Sequence, residues 1–128
     1  MKSLKFLLSL TLCMLCFVSC KEDVTISKGY SFGIHYFEYP GVENALGAVT
    51  SYLKGKSCPM GAEIYEGSSE ADADAKAAAA FNEAMKSVSV EDIDALGFEG
   101  LQFTYSVNRY ASDNVTLVTV AEFNYPGE

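Results

Sequence analysis

The stretch LQFTYSVNRYASDNVTLVTVAEF, residues 101–123, decides the fold. Leu101, Phe103, Tyr105 and Val107 alternate with Gln102, Thr104, Ser106 and Asn108, the period of a strand with one buried face. Residues 115–123 are β-branched at Val115, Thr116, Val118, Thr119 and Val120. Reading Ala111-Ser112-Asp113-Asn114 as a four-residue loop joins the two as a hairpin. In that register Tyr105 faces Val120 and Val107 faces Val118, which sets apolar side chains opposite one another on one face.

Upstream of the hairpin the pattern changes from two to 3.6. Ser69 followed by Asp72 resembles a capping box, and Glu70, Asp72 and Asp74 load the first turn of an Ala-rich helix ending near Lys86. Its expected buried stripe is Ala77, Ala78, Phe81, Met85 and Val88. Ser89 with Asp92 repeats the cap and opens a single turn that Gly97 ends. An earlier helix spans Glu43 to Lys54, where Ala45, Leu46, Ala48, Val49, Tyr52 and Leu53 recur at helical spacing, and Ala62–Glu66 reads as a short strand. From Tyr30 to Tyr39 the residues Tyr30, Phe32, Ile34 and Tyr36 alternate with Ser31, Gly33 and His35, a strand closed by Pro40-Gly41. The order predicts an α+β fold: a two-layer sandwich of one mainly antiparallel sheet, two helices on one face and a C-terminal β-hairpin, forming a single domain over 30–128. Its core should be aromatic, because residues 20–128 hold five Leu against fourteen Phe and Tyr.

The amino terminus reads differently. Lys2 and Lys5 precede a 13-residue apolar run from Phe6 to Val18, broken only by Ser9 and Thr11. That is the layout of a signal peptide over 1–19, and the run falls short of the roughly 20 residues of a spanning helix. It ends in Phe17-Val18-Ser19-Cys20. This tetrapeptide resembles a bacterial lipobox, departing from it in Phe where Leu is usual, and the resemblance implies that Cys20 is acylated, as with palmitate, and becomes the first mature residue. The alternative is an ordinary cleaved signal with Cys20 a free thiol. Lys21-Glu22-Asp23 follows at once and resembles the lysine-plus-acidic export signal of Bacteroidota surface lipoproteins. That resemblance implies a lipid anchor in the outer membrane facing the cell surface, against an alternative on the periplasmic face. Residues 20–29 are then lipidated Cys plus a polar tether that runs into a strand near Val24 and Ile26.

Removing the signal leaves seven Lys and Arg against 17 Asp and Glu, a formal charge of −10. Such a body is repelled by anionic membrane surfaces, and with no basic cluster it offers nothing to a phosphate backbone, so nucleic acid is not an expected partner. Cys13 and Cys16 leave with the signal, so Cys58 has no partner within the mature chain. It is read as a buried apolar thiol, with intermolecular pairing or nucleophilic reactivity as alternatives.

Chemistry-bearing patterns are few. His35 is the only histidine, and no ligand spacing suggests a metal or other cofactor. Catalysis would need His35 and Cys58 brought together in space; no catalytic residue is assigned. Glu70, Asp72, Asp74 and Glu91, Asp92, Asp94 lack the Gly turn and distal Glu of a calcium loop and read as helix-capping acids. Asn114-Val115-Thr116 matches a glycosylation acceptor, a reading that lapses in a bacterial lipoprotein. Phe37-Glu38-Tyr39-Pro40-Gly41 and Phe123-Asn124-Tyr125-Pro126-Gly127 are near copies, each at a strand end. Either Pro and Gly simply stop the strands, or Tyr39 and Tyr125 form an exposed aromatic pair able to meet a glycan or a protein. The expectation is a non-enzymatic binding or accessory domain tethered at the envelope. The alternatives are an assembly subunit adding a strand at the edge near 115–123 and, last, a small hydrolase.

Overall fold

A computed structural model describes residues 25–127. The chain runs β1 (Ile26–Glu38), α1 (Ala45–Gly55), β2 (Gly61–Gly67), α2 (Glu70–Met85), α3 (Val90–Asp94), β3 (Gln102–Tyr110) and β4 (Leu117–Tyr125). The strands form one antiparallel sheet in the order β2-β1-β3-β4, leaving β2 and β4 as edges. The α+β sandwich with its C-terminal hairpin is therefore the fold. Among the described residues no helix is long and apolar enough to cross a membrane.

All three helices feed one core against one sheet face. Ala45, Val49 and Leu53 of α1, Ala73, Ala77 and Phe81 of α2, and Ile93 of α3 are buried with Tyr30, Phe32, Phe103, Tyr105 and Val107 of the sheet. The small Ala side chains let α2 lie close to the strands, so that Phe81 stacks on Tyr105 with centroids 5.2 Å apart. The buried stripe of α2 is Ala73, Ala77 and Phe81 at intervals of four; Ala78, expected in it, is half-buried, as are Met85 at the helix end and Val88 beyond it. Both capping serines act as read: Ser69 Oγ accepts from the Asp72 amide and Ser89 Oγ from the Asp92 amide, each at 3.1 Å.

Two strands depart from the simple alternation. β1 starts at Ile26, within the segment read as tether, and carries a bulge between Ile34 and Tyr36. The extra residue, His35, reverses the faces beyond it, so Tyr36, expected inside, is exposed on the uncovered face while Phe37 turns to the core. The hairpin register also differs from expectation: Tyr105 pairs with Phe123 and Val107 with Ala121. The physical cause lies in the turn. Asp113 accepts hydrogen bonds from the amides of Val115 and Thr116 and from the Thr116 hydroxyl, which draws both residues out of the strand. Asn114 takes a left-handed φ of 60°, Tyr110 then pairs with Leu117, and a bulge between the partners of Val107 and Asn108 adds one more residue of offset.

Candidate functional site

β1 and β4 deliver their Tyr-Pro-Gly ends to the same pole of the sheet, one on each side of Phe103. The two copies are not equivalent there, because Phe37 and Tyr125, not Phe37 and Phe123, are the residues that pair with Phe103. The Tyr125 ring stacks on Phe103 at 5.4 Å and its hydroxyl donates to Asp94 of α3. Burial, then that carboxylate, push its pKa up to about 12, so the hydroxyl stays a donor at neutral pH. Tyr39 meets Phe98 edge to face at 5.4 Å and donates to Glu43 at 2.6 Å. Its ring lies over Gly41, where any Cβ would run into it. Pro40 packs in turn on Gly100, which has φ +82 and could add a Cβ only 3.0 Å from the Pro40 ring.

Between these elements lies an open groove of about 770 Å³. Tyr39 and Phe98 form its wall, Leu101 and Tyr125 its floor, and Asp94, Glu99, Gln102 and Pro126 line it further. Both of its charged side chains are acidic, and the six basic residues of 25–127, Lys28, Lys54, Lys56, Lys76, Lys86 and Arg109, all lie outside it. The groove holds apolar and aromatic surface beside carboxylates, with neither a nucleophile nor a histidine in its lining. It suits binding of a neutral or cationic group with a flat apolar face, and it disfavours polyanions.

The expected exposed pair of tyrosines needs correction. Tyr125 is 9% exposed and belongs to the core, so only its edge reaches the groove, while Tyr39 is half-buried. Each ring serves packing first, because a planar side chain next to Phe103 or Phe98 removes more surface from water inside than out. Phe98 is the groove residue that pattern reading passed over. Its signal is local: an aromatic in a short loop, bracketed by Gly97 and Gly100, both at positive φ.

His35 and Cys58 are on opposite sides of the sheet. Cys58 is buried in the core, where desolvation raises its thiol pKa, and its environment is that of a packed apolar residue. His35 lies on the uncovered face, above Gly33, with Nδ1 2.7 Å from Ser106 Oγ and Nε2 3.3 Å from Ser31 Oγ. Ser106 also donates to Asn108 Oδ1 at 3.2 Å, and both are buried although no helix covers them. This chain fastens the bulge of β1 to β3. Desolvation lowers the His35 pKa, keeping the ring neutral.

The acids of α2 are spent on ion pairs and capping, two of them sharing Arg109. Asp74 binds Arg109 through both carboxylate oxygens at 2.7 and 2.8 Å and accepts from the Tyr30 hydroxyl at 2.7 Å. Glu70 pairs with Lys28 and Arg109, and Asp72 accepts from the Ser68 amide. Among the described residues no three His, Cys, Asp or Glu side chains gather as metal ligands. Residues 1–19, read as a signal peptide, together with Cys20 and the triplet Lys21, Glu22, Asp23 lie outside the described residues. Comparisons with protein-family models, curated proteins and solved structures find no match to this chain.

Proposed function

We propose that the protein is a lipid-anchored, non-enzymatic binding domain of the bacterial envelope, held in the outer membrane by acyl chains on Cys20 and facing the cell surface. Its groove receives a neutral or cationic ligand, a glycan or a protein segment. The observation that supports this reading is the separation of poles. The chain enters the domain at Ile26, while the groove lies beyond Glu38, at the other end of a 13-residue strand. At about 3.3 Å per residue that strand sets the groove about 40 Å from the entry point. A domain tethered at one end and concave at the other presents its groove away from the membrane.

Two measurements test the reading. Cys20→Ala should move the protein from the detergent to the aqueous phase on phase partition; retention in detergent sinks the anchor. Glycan and peptide arrays probed with the mature protein should yield neutral or basic binders that Phe98→Ala loses at least tenfold without unfolding. Binders that are polyanionic, or indifferent to Phe98, overturn the groove as the site. A second reading, assembly by strand addition, draws support from β4 being an edge strand of the sheet. The bulge in β4 counts against it, since bulges blunt edges. Self-association that is lost on placing Pro in β4 would favour it.

A further inference from the structure

We infer that the hairpin tip and the adjoining corner of the uncovered sheet face, Val115 with Ile64, Tyr110 and Leu117, make a second, non-covalent contact with the lipid surface. The inference rests on Cys20 being the anchor. Strand parity puts Phe103, Tyr105, Val107 and Arg109 on the helix side, so Tyr110 and its partner Leu117 face the other way. Tyr30 and Phe32 are likewise on the helix side, which turns Gly29 and its partner Ile64 to the uncovered face. The pairing of Ser31 with Asn108, continued by two residues, brings Gly29 beside Tyr110, so Ile64, Tyr110 and Leu117 fall in one row across the sheet. They are 71%, 56% and 58% exposed, and Val115 in the loop beyond is 77% exposed. Isolated apolar residues on a surface are ordinary, but here four gather at one corner, with Gly29 contributing no side chain between them.

The position of that corner supplies the occupant. Ala111, Ser112 and Asn114 of the hairpin loop line one shallow pocket with Ser27, Lys28 and Gly29, near the start of β1. Cys20 is six residue steps before Ile26, a reach of at most about 20 Å even fully extended. The lipid on Cys20 thus holds the entry end of the sheet within reach of the bilayer, and this corner is where that end exposes large apolar side chains. The side chains suit an interface: three aliphatic groups to enter the acyl boundary and one Tyr, whose ring is apolar and whose hydroxyl stays with the headgroups. The loop's acid, Asp113, directs its carboxylate at the loop's own amides and Thr116, and Glu66, one row nearer the pole, is left to the headgroup layer. Two or more acyl chains hold the protein stably by themselves. The corner contact therefore sets orientation, fixing the groove outward, more than it adds retention.

The test uses the mature protein reconstituted in phosphatidylethanolamine/phosphatidylglycerol vesicles containing a lipid with a nitroxide high on its acyl chain. A fluorophore is attached through Val115→Cys or, as the far-pole control, Val42→Cys, each in a Cys58→Ala background, since Cys58 is a free, buried thiol. The label at 115 should be quenched several-fold more than the label at 42, and adding Leu117→Ser should lower that quenching with the circular dichroism unchanged. Equal, weak quenching at both positions in protein that floats with the vesicles overturns the contact while the anchor stands. Protection at 115 that grows with protein density instead identifies a second copy as the occupant and also overturns it. Protein that carries no lipid on Cys20 by mass, and stays out of the vesicles, overturns the anchor and this inference together.

Discussion

Arg109 stands where the alternation Phe103, Tyr105, Val107 would put a fourth apolar side chain. A guanidinium only 9% exposed is tolerable there because Asp74 meets it with two parallel hydrogen bonds and Glu70 adds a third contact. Asp74→Asn should cost about 3 kcal/mol in urea unfolding, since it strands a desolvated charge instead of removing a pair. The pH dependence has a definite sign. Hydrogen bonds from Arg109 hold the Asp74 carboxyl below its ordinary value in the folded protein, so its contribution is complete above about pH 4 and is lost as pH falls through the folded value. The acid slope of stability below about pH 4 should be shallower in Asp74→Asn. His35 behaves alike at higher pH: burial depresses its pKa below about 6.5, so its contribution is present above that pH and is lost as the pH falls through the lowered value. His35→Gln should flatten the stability profile between about pH 5 and 7, measured by denaturant midpoints; an unchanged slope would mean the ring is as hydrated as in the unfolded chain.

At the scale of elements, α2 is legible because its signals are local. A Ser cap, acids in the first turn and a core stripe of Ala73, Ala77 and Phe81 at intervals of four are all local signals. Phe81→Ala removes the ring stacked on Tyr105 and should cost about 3–5 kcal/mol. Ser69→Ala should cost about 1 kcal/mol, the loss of one cap. The hairpin was harder to read, because Val115 and Thr116 have strand-forming side chains and are nevertheless claimed by Asp113. With Asp113→Ala the amides of Val115 and Thr116 should exchange hydrogen faster, while that of Tyr105, in the core of the sheet, keeps its protection. Loss of protection at Tyr105 as well would show that the turn, and not the aromatic core, holds the register.

Over the whole molecule the two poles carry different chemistry. The entry pole holds Lys28 and Arg109, both spent on acids of α2, and the exposed apolar corner; the groove pole sets aromatic surface beside Asp94 and Glu99 and has no basic residue in its lining. On the proposed anchoring, export decides which side of the membrane the domain faces, because a body of −10 gains nothing from an anionic surface. Protease added to intact cells should remove the domain, and changing Lys21, Glu22 and Asp23 together to Ala should protect it without releasing it from membranes. Full protection of the unaltered protein until lysis would place it on the periplasmic side.

Whatever depends on neighbours in the chain was determined by the sequence alone. The element order, both serine helix caps and the aromatic core follow from composition and from spacings of two to four residues. The tertiary structure decided what depends on residues far apart. Two bulges, one at His35 held by Ser106 across 71 positions, shifted which side chains face inward. Burial of Tyr125 against Phe103 and Asp94 turned an anticipated surface ring into a floor, and Phe98 gained its place beside Tyr39 only once two loops met. The reason is physical: periodicity records the average face of an element, whereas one inserted residue or one distant hydrogen bond reverses that face without altering the pattern around it.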